Sequence, residues 1–127
     1  MTHRVLLVSN AGTNRWGRLV QEVLKEMDAL LITARNGQLQ QQVQEGFSAV
    51  IVDASSFGLG RENDVVTMIR ALRARSALIP IVVVTSSLSW EVAREYLRAG
   101  ASDYIPQTFD REKLARRLSA ALHLSAP

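Results

Sequence analysis

The chain has 127 residues, of which 47% are hydrophobic and 21% charged, with a formal net charge of +3 and no cysteine. This length fits one domain with a single core. The absence of cysteine excludes disulfides and thiolate chemistry. Because the two histidines, His3 and His123, stand near opposite ends, a clustered Cys/His zinc site is excluded as well. No apolar run approaches the ~18 residues of a membrane span, and the start lacks the apolar stretch of a signal peptide. We therefore expect a cytoplasmic domain without membrane contact.

The first half of the chain alternates a short apolar run with helical periodicity. Residues 5–8 are continuously apolar, which is typical of a strand buried on both faces. Apolar residues then recur at helical spacing from Trp16 to Met27, and Thr13 or Asn14 is placed to cap that helix. A second strand is predicted at residues 29–33. The Asn36-Gly37 turn and a weak helix at residues 38–45 follow it.

The second half repeats the alternation three times. Strands are predicted at residues 49–52, 81–84 and 104–105, with a loop at residues 55–60 after the first of them. Helices are predicted at residues 64–74, at residues 89–99, and after Asp110, which is placed to cap the last helix. The helix at residues 89–99 is expected to bury Val92, Tyr96 and Leu97.

Five consecutive β-α units predict an α/β domain. Strands that alternate with amphipathic helices form a parallel sheet with helices on both faces, and right-handed crossovers leave few topologies for five strands. The flavodoxin-like, doubly wound order 2-1-3-4-5, with five helices, is the prediction. We assign residues 1–124 to the domain and residues 125–127 to a tail or the start of a linker.

Polar side chains follow the carboxyl ends of the predicted strands, where ligands bind in such sheets. They are Ser9 and Asn10 after strand 1, Asp53 after strand 3, Thr85 after strand 4, and Gln107 and Thr108 after strand 5. Asp53 alone could be a loop-opening residue that bonds the next backbone amides. With a hydroxyl at the same edge, its carboxylate could instead accept a phosphoryl group.

Three segments carry a resemblance to a known family. They are VIVD at residues 50–53, IPIVVVT at residues 79–85 and RAGASDYIP at residues 98–106. In this order and spacing, the chain resembles the receiver domain of bacterial two-component response regulators over essentially its whole length. The resemblance implies that Asp53 is the phospho-acceptor position, that Thr85 engages the phosphoryl group, and that Tyr104 is the aromatic that swings inward on switching.

The sequence departs from that family at the residues that support phosphorylation. The family has two adjacent acids after strand 1, which hold Mg²⁺, and this chain has Ser9-Asn10; the family has Lys-Pro after strand 5, and this chain has Gln107-Thr108. One carboxylate offers little to a cation that requires several oxygen ligands. We therefore expect a pseudo-receiver without enzymatic activity, with weak or absent Mg²⁺ binding and no other cofactor, and a trans bond between Gln107 and Thr108.

The resemblance also implies an interaction surface. Receivers commonly meet partners through the fourth helix, the fifth strand and the fifth helix. On this face the sequence offers basic side chains, among them Arg94, Arg98, Arg111 and Arg116. We expect a signalling protein partner or a homodimer there. Because the excess of positive charge is small and interleaved with acids, nucleic-acid binding by this domain is not expected.

Two other functions stay open at this point. A working phospho-receiver with a relaxed metal requirement shares every fold argument and differs only at Ser9, Asn10 and Gln107. A small anion- or cofactor-binding protein is the second alternative, because residues 9–14 have the composition of a phosphate-binding loop at a helix start.

Overall fold

The computed structural model describes residues 3–11, 14–35, 46–86 and 89–122. The strands are β1 (His3–Val8), β2 (Ala29–Ala34), β3 (Ala49–Asp53), β4 (Ile81–Thr85) and β5 (Asp103–Pro106). The α-helices of the described residues are α1 (Arg15–Glu26), α2 (Glu62–Arg75), α3 (Trp90–Ala99) and α4 (Arg111–Ala121). The fourth and fifth helices expected from the sequence are therefore α3 and α4, and the helix expected at residues 38–45 lies outside the described residues.

The five strands form one parallel sheet in the order β2-β1-β3-β4-β5. This is the 2-1-3-4-5 order expected from the sequence. Every residue of β3 and β4 is buried, which explains why these two strands read as continuous apolar runs rather than as alternating ones. The carboxyl ends of β1, β3 and β4 lie side by side at the centre of one edge.

Two apolar layers cover the sheet, because successive strand residues point to opposite faces. Leu7 and Ile51 pack on the side of α1 and α4, together with Leu114 of α4. Leu6 and Val52 pack on the side of α2 and α3. The fold is thus a three-layer sandwich whose polar ends are the loops at the two edges of the strands.

Polar side chains fix the starts of three helices. Asn14 caps α1 by accepting a hydrogen bond from the Gly17 amide, and Ser89 and Asp110 cap α3 and α4 in the same way. Of the two residues proposed to cap α1, Asn14 is therefore the one observed. Such caps typically contribute about 1 kcal/mol each.

Two local predictions were wrong. Leu97 was expected to be buried, but 41% of its surface is exposed, because α3 turns Ala93, Tyr96 and Ala99 toward the sheet instead. The loop expected at residues 55–60 opens with a 3-10 helix, Ala54–Phe57. The second difference matters for the site, because this short helix sets the positions of the serines that follow Asp53.

The peptide bond between Gln107 and Thr108, after β5, was predicted to be trans. The described residues contain no cis peptide bond, so Gln107 and Thr108 are joined by a trans bond as expected. None of the described helices has the length and apolarity needed to cross a membrane.

Candidate functional site

Asp53 ends β3 at the centre of the carboxyl edge, and only 3% of its surface is exposed. Its Oδ2 accepts a hydrogen bond of 3.1 Å from the hydroxyl of Ser9, which follows β1. Its Oδ1 has no hydrogen-bond partner in the described part of the chain. The structure therefore brings Ser9 and Asp53 together, as the sequence predicted, and leaves the second carboxylate oxygen without a hydrogen-bond partner among the described residues.

Burial raises the pKa of the Asp53 carboxyl above its ordinary value, because the charged form loses hydration there. The hydroxyl of Ser9 and the backbone of Ser56 and Ser55 act in the opposite direction and with less effect. Asp53 thus holds its proton to higher pH than an exposed aspartate does. A buried carboxyl with a raised pKa at a sheet edge marks a candidate functional position.

Two serines tie the loops around Asp53 to one another. The Ser56 hydroxyl donates to the backbone oxygen of Asp53 at 2.7 Å and accepts from the Asn10 amide at 2.9 Å. The Ser55 hydroxyl accepts from the Ser86 amide at 2.8 Å and lies 2.9 Å from the Ser86 hydroxyl. Hydrogen bonds of serine therefore join the loops after β1, β3 and β4.

Sequence reasoning missed this bridging role of Ser55 and Ser56. The available signal was a pair of small hydroxyl residues directly after a buried strand, a position where Ser side chains commonly bond local backbone. Which neighbouring loop they would reach depends on the 3-10 helix, and the sequence did not predict that helix.

Thr85 and Tyr104, the two expected switch positions, lie on the adjacent strands β4 and β5. Thr85 is buried, and its backbone oxygen accepts a hydrogen bond of 2.8 Å from the Gln107 amide. The half-buried ring of Tyr104 lies 6.1 Å from the ring of Tyr96, centroid to centroid. Burial, helped by Glu62 and Tyr104, raises the pKa of Tyr96 to about 12, so its phenol stays protonated.

Helix α1 holds the loop after β5 through the side chain of Trp16. The indole nitrogen of Trp16, on α1, donates a hydrogen bond of 3.2 Å to the backbone oxygen of Thr108. The Thr108 hydroxyl accepts from the Asp110 amide at 3.1 Å. Trp16 is buried and fixes the loop that carries Gln107 and Thr108.

A cleft of about 230 Å³ opens beside Asp53, between α1 and the ends of β1 and β2. Its polar lining consists of Ser9, Asn14, Arg18, Gln21, Thr33 and Asp53. Asp53 is thus the one carboxylate that lines this cleft. Nor do the described residues contain a group of three or more His, Cys, Asp and Glu side chains that could hold a metal ion.

The four basic residues expected on one interaction face separate in the structure. Arg94, Arg98 and Arg116 are exposed, and Arg98 lies 3.9 Å from Glu95 on the same helix. Arg111 instead forms ion pairs with Glu22, at 2.9 Å, and with Glu26, both on α1. Arg111 therefore belongs to the contact between α1 and α4. The proposed loop for a bound anion, residues 9–14, lies partly outside the described residues.

No protein-family model matches the chain. Among curated proteins it is similar to the two-component response regulator PhoP of Pseudomonas aeruginosa, with 39% identity over 59 residues, which is 46% of this chain and 26% of that protein. It is also similar to the transcriptional regulatory protein PhoP of Escherichia coli, with 34% identity over 61 residues, 48% of this chain and 27% of that protein. The matches therefore span about a quarter of the length of these relatives.

Solved structures match over nearly the whole chain. A response regulator from Thermotoga maritima has a TM-score of 0.80 at 21% identity and covers 97% of this chain and 99% of its own. HP1043, an orphan response regulator of Helicobacter pylori, has a TM-score of 0.74 at 17% identity and covers 94% and 96%. By name, the Pseudomonas relative and both of these structures are response regulators, and the Escherichia coli relative is a transcriptional regulatory protein. The solved structures show that the chain has the CheY-like fold.

Proposed function

We propose that the chain is a non-enzymatic, receiver-like signalling domain that acts through protein–protein contacts, with little or no Mg²⁺-dependent phosphorylation of Asp53. The observation that carries this proposal is the donor set around Asp53. One buried carboxylate stands there with a serine hydroxyl bonded to it, and Asn10 occupies the next position along the loop.

These donors do not fit Mg²⁺. The ion requires near-octahedral oxygen ligands and is usually held by carboxylates. Here Asp53 Oδ2 already accepts the Ser9 hydroxyl, and the remaining carboxylate oxygen is enclosed by protein. Hydrogen bonds of Ser9, Ser55 and Ser56 also join the three loops to one another.

Charge at the site argues in the same direction. Phosphoryl transfer depends on cations that offset negative charge on the moving group, and losing one such contact typically costs about 3 kcal/mol of transition-state stabilisation. Gln107 is neutral at the position where the family has lysine.

Intact-mass measurement after treatment with acetyl phosphate and Mg²⁺ tests the proposal. We expect no phosphoryl mass gain in the wild type. The variant Ser9→Asp/Asn10→Asp/Gln107→Lys restores the missing charges and should gain one phosphoryl group, and adding Asp53→Asn should abolish that gain. Equal phosphorylation of the wild type and the triple variant would contradict the proposal and favour a working receiver with a relaxed metal requirement.

Tryptophan fluorescence gives a second measurement. Trp16 is bonded to the loop that carries Gln107, and Trp90 is exposed at the start of α3, so both report on this edge of the sheet. We expect little change when beryllofluoride and Mg²⁺ are added. A saturable quench at sub-millimolar Mg²⁺ would overturn the proposal.

A further inference from the structure

A groove of about 640 Å³ runs between β5 and α4. We call it the basic groove and define it by Lys113, Arg116, Arg117 and Ala120 on α4 and by Asp103 and Pro106 on β5. The four α4 residues are spaced i, i+3, i+4 and i+7, so they share one helix face. This places three cations in a row along one wall of the groove.

The three cations of the basic groove are available to a ligand. Lys113, Arg116 and Arg117 are exposed, and none of them forms an ion pair within the parts of the chain that the structure describes. Arg111 on the same helix contrasts with them, because Glu22 and Glu26 of α1 already neutralise it.

The opposite wall of the basic groove is β5, the edge strand of the sheet. It contributes one carboxylate, that of Asp103, whose Oδ1 accepts the Tyr104 amide at 2.8 Å. The three cations of α4 therefore face a single negative charge across the groove.

We propose that the basic groove docks an acidic protein segment, rich in aspartate or glutamate side chains. Arginine binds carboxylates with two parallel hydrogen bonds, and three cations along one helix face match carboxylates spaced along an extended chain. This inference names the partner class for the proposed protein–protein function and rests on that function.

The charges favour an acidic segment over two other ligands. In a symmetric dimer each groove faces its own copy, so like-charged α4 faces meet, with one Asp103 per groove to offset three cations. Nucleic-acid binding draws on a longer run of phosphate contacts, and here Asp103 stands inside the groove and Glu112 beside Lys113. Carboxylates presented singly by a peptide avoid both repulsions.

Fluorescence anisotropy with labelled octaglutamate tests the docking, with labelled octathymidylate as the nucleic-acid comparison. We expect Lys113→Glu/Arg116→Glu to weaken octaglutamate binding by about tenfold or more, since it replaces attraction by repulsion. The matched control Lys25→Glu/Arg70→Glu changes the net charge equally at exposed positions on α1 and α2. It should stay within about twofold of the wild type.

Each other outcome overturns the inference. Equal weakening in both double variants means that net charge alone attracts the peptide. Tighter binding of octathymidylate assigns the groove to nucleic acid. A concentration-dependent doubling of mass in light scattering, lost only in the groove variant, assigns it to a homodimer. Absence of octaglutamate binding to folded wild-type protein at low salt rejects the docking outright.

One further measurement separates this inference from the proposed function. Octaglutamate binding is repeated with beryllofluoride and Mg²⁺ present. Unchanged affinity is expected from both proposals. If the affinity changes while the groove variant still fails to bind, the acidic partner stands and the phosphorylation-independent function fails. If the peptide fails to bind and fluorescence still gives no response to beryllofluoride, only the acidic partner fails.

Discussion

Each end of the sheet holds one charged side chain, and the two side chains differ in how completely their hydrogen-bonding groups are satisfied. At the amino ends of β4 and β5, the guanidinium of Arg73 uses all five of its donors. They reach backbone oxygens of Ser76, Ile79 and Gly100 at 2.8–3.1 Å and the Ser102 hydroxyl at 3.3 Å. At the carboxyl ends, Asp53 is almost fully buried and one of its two oxygens has no partner among the described residues.

This difference separates a charged side chain that holds the fold together from one that marks a candidate functional site. A buried polar group costs free energy unless its hydrogen bonds are replaced. At Arg73 they are replaced completely, so the side chain clamps two loops together. At Asp53 they are replaced by half, so the carboxyl edge retains a destabilising group that packing alone does not explain. Such groups concentrate at functional sites.

Removing the clamp at the amino end should have the largest effect. We expect Arg73→Met to lower the free energy of unfolding by about 2–3 kcal/mol, because it removes five hydrogen bonds from a charged donor and leaves carbonyls at the loop ends unpaired. Urea denaturation measures the change. The control Arg70→Met, exposed on the same helix, should stay within about 0.5 kcal/mol of the wild type. Equal changes in the free energy of unfolding in the two variants would mean that the hydrogen bonds of Arg73 do not stabilise the fold, and its contrast with Asp53 would fail.

Neutralising the carboxyl end should have the opposite sign. We expect Asp53→Asn to raise the free energy of unfolding at pH 7 by about 1 kcal/mol, since it removes a buried, half-compensated charge. The pKa of Asp53 is raised in the folded protein, so its stabilising contribution is complete below the ordinary value of 3.8 and is lost as pH rises through the folded pKa. The advantage of the asparagine variant should therefore shrink toward acid pH.

Denaturation of both proteins across a pH series tests this sign. A variant that is less stable than the wild type at pH 7 would mean that the folded protein already compensates the charge of Asp53. The contrast between the two ends would then fail, because both would hold fully satisfied charges.

The two ends also differed in how far the sequence predicted them. The sheet, its strands and the convergence of Ser9, Asp53 and Thr85 followed from apolar runs and parallel topology, which depend on local pattern. The clamp of Arg73 was not predicted, because four of its five hydrogen bonds go to backbone oxygens 3 to 27 residues away. Backbone carbonyls leave no mark on residue types, so spacing alone cannot indicate them.

The serines beside Asp53 define the smallest expected effect and the finest test of the comparison. Ser56 makes one hydrogen bond within its own loop and accepts one from the Asn10 amide, and it is half-buried; Ser55 makes its bonds to Ser86 at the surface. Ser56→Ala should cost about 1 kcal/mol, because the Asn10 amide and the Asp53 carbonyl lose a partner that water replaces poorly. Ser55→Ala should cost less, since water can replace its bonds.

Hydrogen exchange at the Asn10 amide should accelerate in Ser56→Ala and not in Ser55→Ala. If both variants exchange at the wild-type rate, Ser56 does not hold the β1 loop over Asp53, and the carboxyl end owes its assembly to apolar packing as the rest of the sheet does.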